Sequence, residues 1–124
     1  MLLRYNFKPS LVRRVVSIGH KGIRRGLHTE SQIHLKGYHE LVFVDYGKVI
    51  LTLEKDTQVL NSGECIFIAG GTTHSFEGVE EAPYDYMNIM YWGKLPDYMA
   101  NRIIPVNRKC FNLLDRLKQE SVQK

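Results

Sequence analysis

No stretch of this 124-residue sequence approaches the ~18 consecutive apolar residues of a membrane-spanning helix, so no such helix is expected. The start, with Arg4, Lys8, Arg13 and Arg14 breaking short apolar pieces, lacks the apolar run of a secretory signal. Cysteine is scarce. Cys65 and Cys110 stand far apart in segments of different character, which argues against a disulfide framework and suits a reducing, cytoplasmic setting. Neither has a histidine nearby in sequence, so catalysis by a cysteine nucleophile has no support. Gly70-Gly71 is followed by neither lysine nor helix, so no phosphate-cradling loop is present. Internal repeats and low-complexity tracts are also missing.

Acidic residues are absent from one region only. Met1 to His28 holds seven Lys or Arg and no acid, Glu30 to Asn107 holds five basic and eleven acidic residues, and Arg108 to Lys124 holds five and two. The local charges of +7, −6 and +3 make up the net +4. A basic arm on an acidic body fits contact with nucleic acid, but its arginines are interspersed with Val and Ile, which favours an arm packed on its own body with solvated charges. The 44% hydrophobic and 24% charged content is ordinary for one globular domain able to bury a core.

The pattern along the chain is strand after strand, then one helix. Val- and Ile-rich runs predict strands at Leu11 to Ile18, His39 to Tyr46 and Lys48 to Glu54, the last two forming a hairpin at Gly47. Shorter strands are predicted at Ser31 to Lys36, Thr57 to Leu60, Glu64 to Ala69 and Thr73 to Glu77, with Asn61-Ser62-Gly63 as a turn. An acidic loop at Glu80 to Pro83 precedes a long strand, Tyr84 to Trp92. Leu95 to Arg102 reads as one or two helical turns, and Arg108 to Val122 as a helix with Phe111, Leu113, Leu114 and Leu117 on its apolar stripe. That stripe packs either on the barrel's own outside or across a dimer axis. Short strands with no helix between them mean antiparallel pairing, in a sandwich or a barrel.

Two stretches carry chemistry. His34, Lys36, Glu40 and Gly47 resemble the first cupin motif, which has two histidines one residue apart, then a glutamate and a glycine. Gly63, Ala69, Gly71 and His74 resemble the second, with a link of 15 residues between the two stretches. Alternation along barrel strands brings His34, Lys36, Glu40 and His74 to one cavity, with Val42 and Val44 lining it and His39 pointing away. Gly47 and Gly63 suit tight turns with φ > 0. Lys36 replaces the second histidine, Ala69 the proline and Gly78 the asparagine of these motifs. Two histidines and a carboxylate can hold Fe(II), but an ammonium at position 36 would repel it, so no metal or cofactor is expected.

The chain also resembles a particular cupin branch, the effector-binding and dimerisation domain of AraC-type transcription regulators. The resemblance rests on Tyr38 to Val44 with Gly47, on Gly63 to Ile68 with Gly71 and His74, on Tyr86 to Trp92, and on Ile104-Pro105-Val106 before the helix. It implies an all-β fold with a C-terminal helix: a cupin-type double-stranded β-helix, or jelly-roll barrel. Residues 1–98 would form the effector-binding barrel with its basic arm, and 99–124 the start of a helical dimerisation linker. The implied function is sensing of a small molecule, such as a sugar, by a homodimer without enzymatic activity. DNA would be read only by a C-terminal half outside this chain. Candidate ligand contacts are His34, Lys36, Glu40 and His74, Arg24 on the arm, and Tyr86 and Trp92, which share a face of the last strand with Tyr84 and either stack on a ligand or fill the core. The rival readings are a metal-dependent cupin enzyme, such as a dioxygenase or sugar isomerase, and a non-catalytic sugar-binding cupin.

Overall fold

The computed structural model describes residues 12–20, 24–25, 31–79 and 82–122. Its elements are β1 (Val12–His20), β2 (Arg24–Arg25), β3 (Tyr38–Tyr46), β4 (Lys48–Leu53), β5 (Asp56–Asn61), β6 (Glu64–Ile68), β7 (His74–Gly78), β8 (Pro83–Gly93), β9 (Ile103–Pro105) and α1 (Arg108–Val122). They form two antiparallel sheets rather than one continuous closed sheet. The larger runs β1-β8-β3-β6-β9, with β2 also on β8, and the smaller runs β5-β4-β7.

The core lies between these sheets. Val42 and Val44 of β3, Ile66 and Ile68 of β6, and Tyr84 and Tyr86 of β8 face Val49, Leu51 and Leu53 of β4, Leu60 of β5 and Phe76 of β7. Period-two alternation explains the selection, because each strand sends every second side chain inward. Burying each large apolar side chain stabilises the fold by roughly 1.5–3 kcal/mol. The β3–β4 connection is as tight as the sequence predicts, with Gly47 at φ 73°.

The reverse face of the large sheet carries α1. Phe43, on the opposite side of β3 from Val42 and Val44, meets Phe111 edge-on at 5.4 Å. Phe111 therefore packs on the chain's own sheet, while Leu113 is exposed. The side chain of Leu117 lies outside the described residues.

Four expectations need correction. Residues 31–36 form no strand, only an isolated bridge between Gln32 and His74. Leu95 to Arg102 holds one turn, closed by Met99 N–H and Ala100 N–H on the Pro96 carbonyl, and does not run to a second. The segment after residue 98 is not wholly linker, since β9 pairs with β6 and adds a strand to the large sheet. Pro83 begins β8 rather than closing a loop, and residues 80–81 lie outside the described residues.

Candidate functional site

At one end of the sandwich the apolar core gives way to four polar side chains. Glu40 follows the inward parity of Val42 and Val44, so its carboxylate enters the sandwich and is only 4% exposed. Its Oε1 accepts from His34 Nε2 at 3.1 Å and lies 3.2 Å from His74 Nε2. Its Oε2 accepts from Asn88 Nδ2 at 3.1 Å. His74, at the start of β7, is 2% exposed. Its Nδ1 lies 3.1 Å from the Thr72 carbonyl. A carbonyl only accepts, so Nδ1 carries a proton.

That leaves His74 Nε2 facing a carboxylate. At 3.2 Å the contact is short but poorly directed, and hydrogen bonding and charge act on it in the same sense. Burial opposes a charge on His74, but the Glu40 carboxylate and the Thr72 carbonyl outweigh it, and the imidazole pKa is raised. Burial likewise opposes ionisation of Glu40, but His74, the Asn88 amide and His34 outweigh it, and the carboxyl pKa is lowered. Both shifts favour an imidazolium facing a carboxylate.

This sets a pH window. Stability from His74 is full below its ordinary 6.5 and is lost as pH rises through its raised folded value. Stability from Glu40 is present above its ordinary 4.5 and is lost as pH falls through its lowered folded value. The stability gap between the native chain and His74→Gln is therefore expected to be widest between 4.5 and 6.5 and to narrow as pH rises beyond 6.5. Urea unfolding midpoints across pH measure it; a gap that stays flat contradicts the ion pair.

The loop that delivers His34 is pinned from several sides. Gly71 N–H donates to the His34 carbonyl at 2.7 Å, Tyr38 N–H to Leu35 at 3.0 Å, and Gly93 N–H to Gly37 at 3.0 Å. Gly37, at φ 91°, lies under the Trp92 indole, where a Cβ would collide with the ring. Gly19 on β1 plays a similar part beside Asn88, whose side-chain oxygen occupies the place of a Cβ. Among the described residues Asn88 Oδ1, itself buried, has no hydrogen-bond partner, an acceptor left over at the cluster.

The predicted residues divide. His34, Glu40 and His74 come together, and their ligating atoms all lie within 4.8 Å of one another. Lys36 does not join them. It sits in a turn rather than a strand, is exposed, and packs its methylenes near Gly71, so Glu40's described partners are the two histidines and Asn88. Tyr86 shares the inward face but is core, 4% exposed against Phe76 and Tyr84. Trp92 has the same parity at the rim, 40% exposed and tilted against Tyr38 at 4.8 Å. The Arg24 backbone pairs with Tyr84, and its side chain lies outside the described residues. His39 lies on the opposite face, as expected, but is buried. Its Nδ1 accepts from Gly70 N–H at 3.0 Å and its Nε2 donates to the Gly93 carbonyl at 3.1 Å, a neutral structural imidazole whose pKa burial lowers. Asn88 was not foreseen, and its one signal was a lone amide in the apolar run Met87 to Trp92.

A two-sheet sandwich with a buried glutamate and two histidines at one end defines the class as cupin-type. The chain belongs to the AraC-like ligand binding domain family, which it matches over residues 17–121. Solved structures agree on the fold. A Bacillus halodurans protein is 15% identical with a TM-score of 0.56, over 83% of this chain and 83% of that one. The Cupin_2 domain of an XRE family transcriptional regulator from Enterobacter cloacae is 21% identical with a TM-score of 0.51, over 60% of this chain and 76% of that one. A Thermotoga maritima protein described as a predicted oxalate decarboxylase is 14% identical with a TM-score of 0.57, over 63% and 67%. At these identities the likenesses show the fold alone. No curated protein sequence matches. Among the described residues, no helix is long and apolar enough to cross a membrane.

Proposed function

We propose that this domain senses a small polar molecule, such as a sugar, for an AraC-type transcription regulator, without catalysis. The carrying observation is Glu40: a buried carboxylate held by His34, His74 and Asn88 at the end of an apolar sandwich. A few convergent polar groups in apolar surroundings are the usual make-up of a small-molecule site. Glu40 and the spare Asn88 oxygen suit a ligand rich in hydroxyl donors, and Trp92 at the rim offers a ring face. In this reading the protein is cytoplasmic and dimeric, its partner copy meets the exposed Leu113 side of α1, and DNA is read by a separate C-terminal half. The basic arm couples effector to output, since β1 and β2 both pair with β8, the strand that carries Asn88. Such coupling typically amounts to about 1–3 kcal/mol.

One observation favours a second reading, a metal-dependent cupin enzyme. His74 is oriented as a metal ligand would be, with Nδ1–H held by a backbone carbonyl, so that release of the Nε2 proton would free that nitrogen for an ion. Lys36, the ammonium expected to repel a cation, is outside the cluster. His34, Glu40 and His74 would hold the ion, and it would act there as a Lewis acid.

Thermal unfolding against a panel of pentoses and hexoses, and separately against Mn(II), Fe(II) and Zn(II), distinguishes the two. A sensing domain is expected to gain about 2.7 kcal/mol from a sugar at about 100 times its Kd. Stabilisation by stoichiometric metal with no response to any sugar would overturn the sensing reading in favour of the enzyme.

A further inference from the structure

Two thiols lie apart from the polar cluster. Cys65 is on β6, on the face turned away from the core, level with Phe43 on one side and Ile104 on the other. Cys110 is in the first turn of α1, where Asn107 Oδ1 caps its N–H at 2.8 Å, and the next residue, Phe111, stacks on that same Phe43. Both residues thus belong to one patch where helix meets sheet. They line a single groove of about 440 Å³ whose other walls include Leu41, Phe67, Met99 and Leu114. Among the described residues the lining is nearly all apolar and carries no charged side chain. Cys65 is buried and Cys110 exposed. Burial, and secondarily Cys110, push the Cys65 pKa up to about 11.

We propose that Cys65 and Cys110 are a redox pair that a hydroperoxide converts to an intrachain disulfide, fastening the start of α1 to β6. The exposed Cys110 reacts first. Its thiolate sulfur attacks the peroxide, an S–O bond forms as the O–O bond breaks, and with one proton the leaving oxygen departs as water or alcohol. The Cys65 sulfur then attacks the Cys110 sulfenic sulfur. An S–S bond forms, the S–O bond breaks, and the Cys65 proton leaves with the hydroxide as water. Two thiols are oxidised by two electrons in all, and one peroxide is reduced. Because Cys65 is held as a thiol, the second step is the slower one. Closure draws the two walls of the groove together and fixes the helix on the sheet, an effect reversed by a dithiol reductant.

The test treats the whole chain with hydrogen peroxide, alkylates the remaining thiols, and maps the peptides without reduction. The expected result is loss of both free thiols per chain, one peptide joining Cys65 to Cys110, and single-chain mobility on a non-reducing denaturing gel, all restored by dithiothreitol. Cys110→Ser, a change at an exposed site, is expected to abolish the joined peptide and leave Cys65 alkylatable only after unfolding. Chains cross-linked to one another through Cys110, or Cys110 oxidised to sulfinic acid while Cys65 stays free, would overturn the proposal.

Discussion

Glu40→Gln is expected to lower the stability of the domain by about 2–4 kcal/mol near about pH 6, a fall in melting temperature on the order of 10 °C. Glutamine keeps the size of the side chain and can still accept from Asn88, so the loss isolates the charge. What remains is His74, 2% exposed, with one nitrogen tied to Thr72 and the other without a counter-charge. A buried imidazolium left alone is the costly state, and His74 escapes it by releasing its proton. The imidazole pKa is therefore expected to drop below its ordinary 6.5 in the variant, the reverse of the native chain. Differential scanning calorimetry together with an imidazole NMR titration reads both effects. A melting temperature changed by no more than about 1 °C would mean that the ion pair contributes nothing.

Gly70→Ala is expected to cost about 3 kcal/mol and to displace His34, although position 70 is outside the cluster. A Cβ there would collide with the Leu35 carbonyl and stand 2.6 Å from that of Tyr38. Both are backbone atoms of the loop that carries His34, so no side chain can swing aside. The bonds from Gly70 N–H to His39 and from Gly71 N–H to the His34 carbonyl would be broken together. Gly63→Ala supplies the comparison. Its φ is +83° with nothing near a new Cβ, so only left-handed strain of about 1–2 kcal/mol is expected. Equilibrium unfolding ranks the two, and a Gly63→Ala chain less stable than Gly70→Ala would remove the interlocked loop from the account.

Much of this was legible in the residues, for reasons that also explain the misses. The β3–β4 hairpin and the bounds of α1 could be read because their apolar periods are long and end at Gly47 and after Pro105. Glu40 could be placed because it shares parity with Val42 and Val44. Lys36 was misplaced by the same rule: residues 34–37 lie outside any strand, with a turn at Lys36-Gly37, and alternation has no meaning there. Trp92 and Tyr86 do share a face, but only the register of β8 on β3 separates core from rim, with Tyr86 beside Val44 and Trp92 beside Tyr38. That register is a long-range property, and Asn88, level with Val42, was hidden by the same ignorance. The three residues of β9 are too few to show a period, and their strand character depends on the β6 edge waiting for them.

The ligand is expected to contact the buried Glu40 carboxylate and its two imidazole partners. Imidazole ¹H–¹⁵N signals of His34 and His74, followed while the monosaccharide that most stabilises the domain is titrated in, test it most directly. Both imidazoles are expected to shift in step with saturation, and Glu40→Gln to weaken that binding at least about tenfold. Saturable binding that leaves both imidazoles unmoved, while residues around Met99 and Leu114 shift instead, would contradict it.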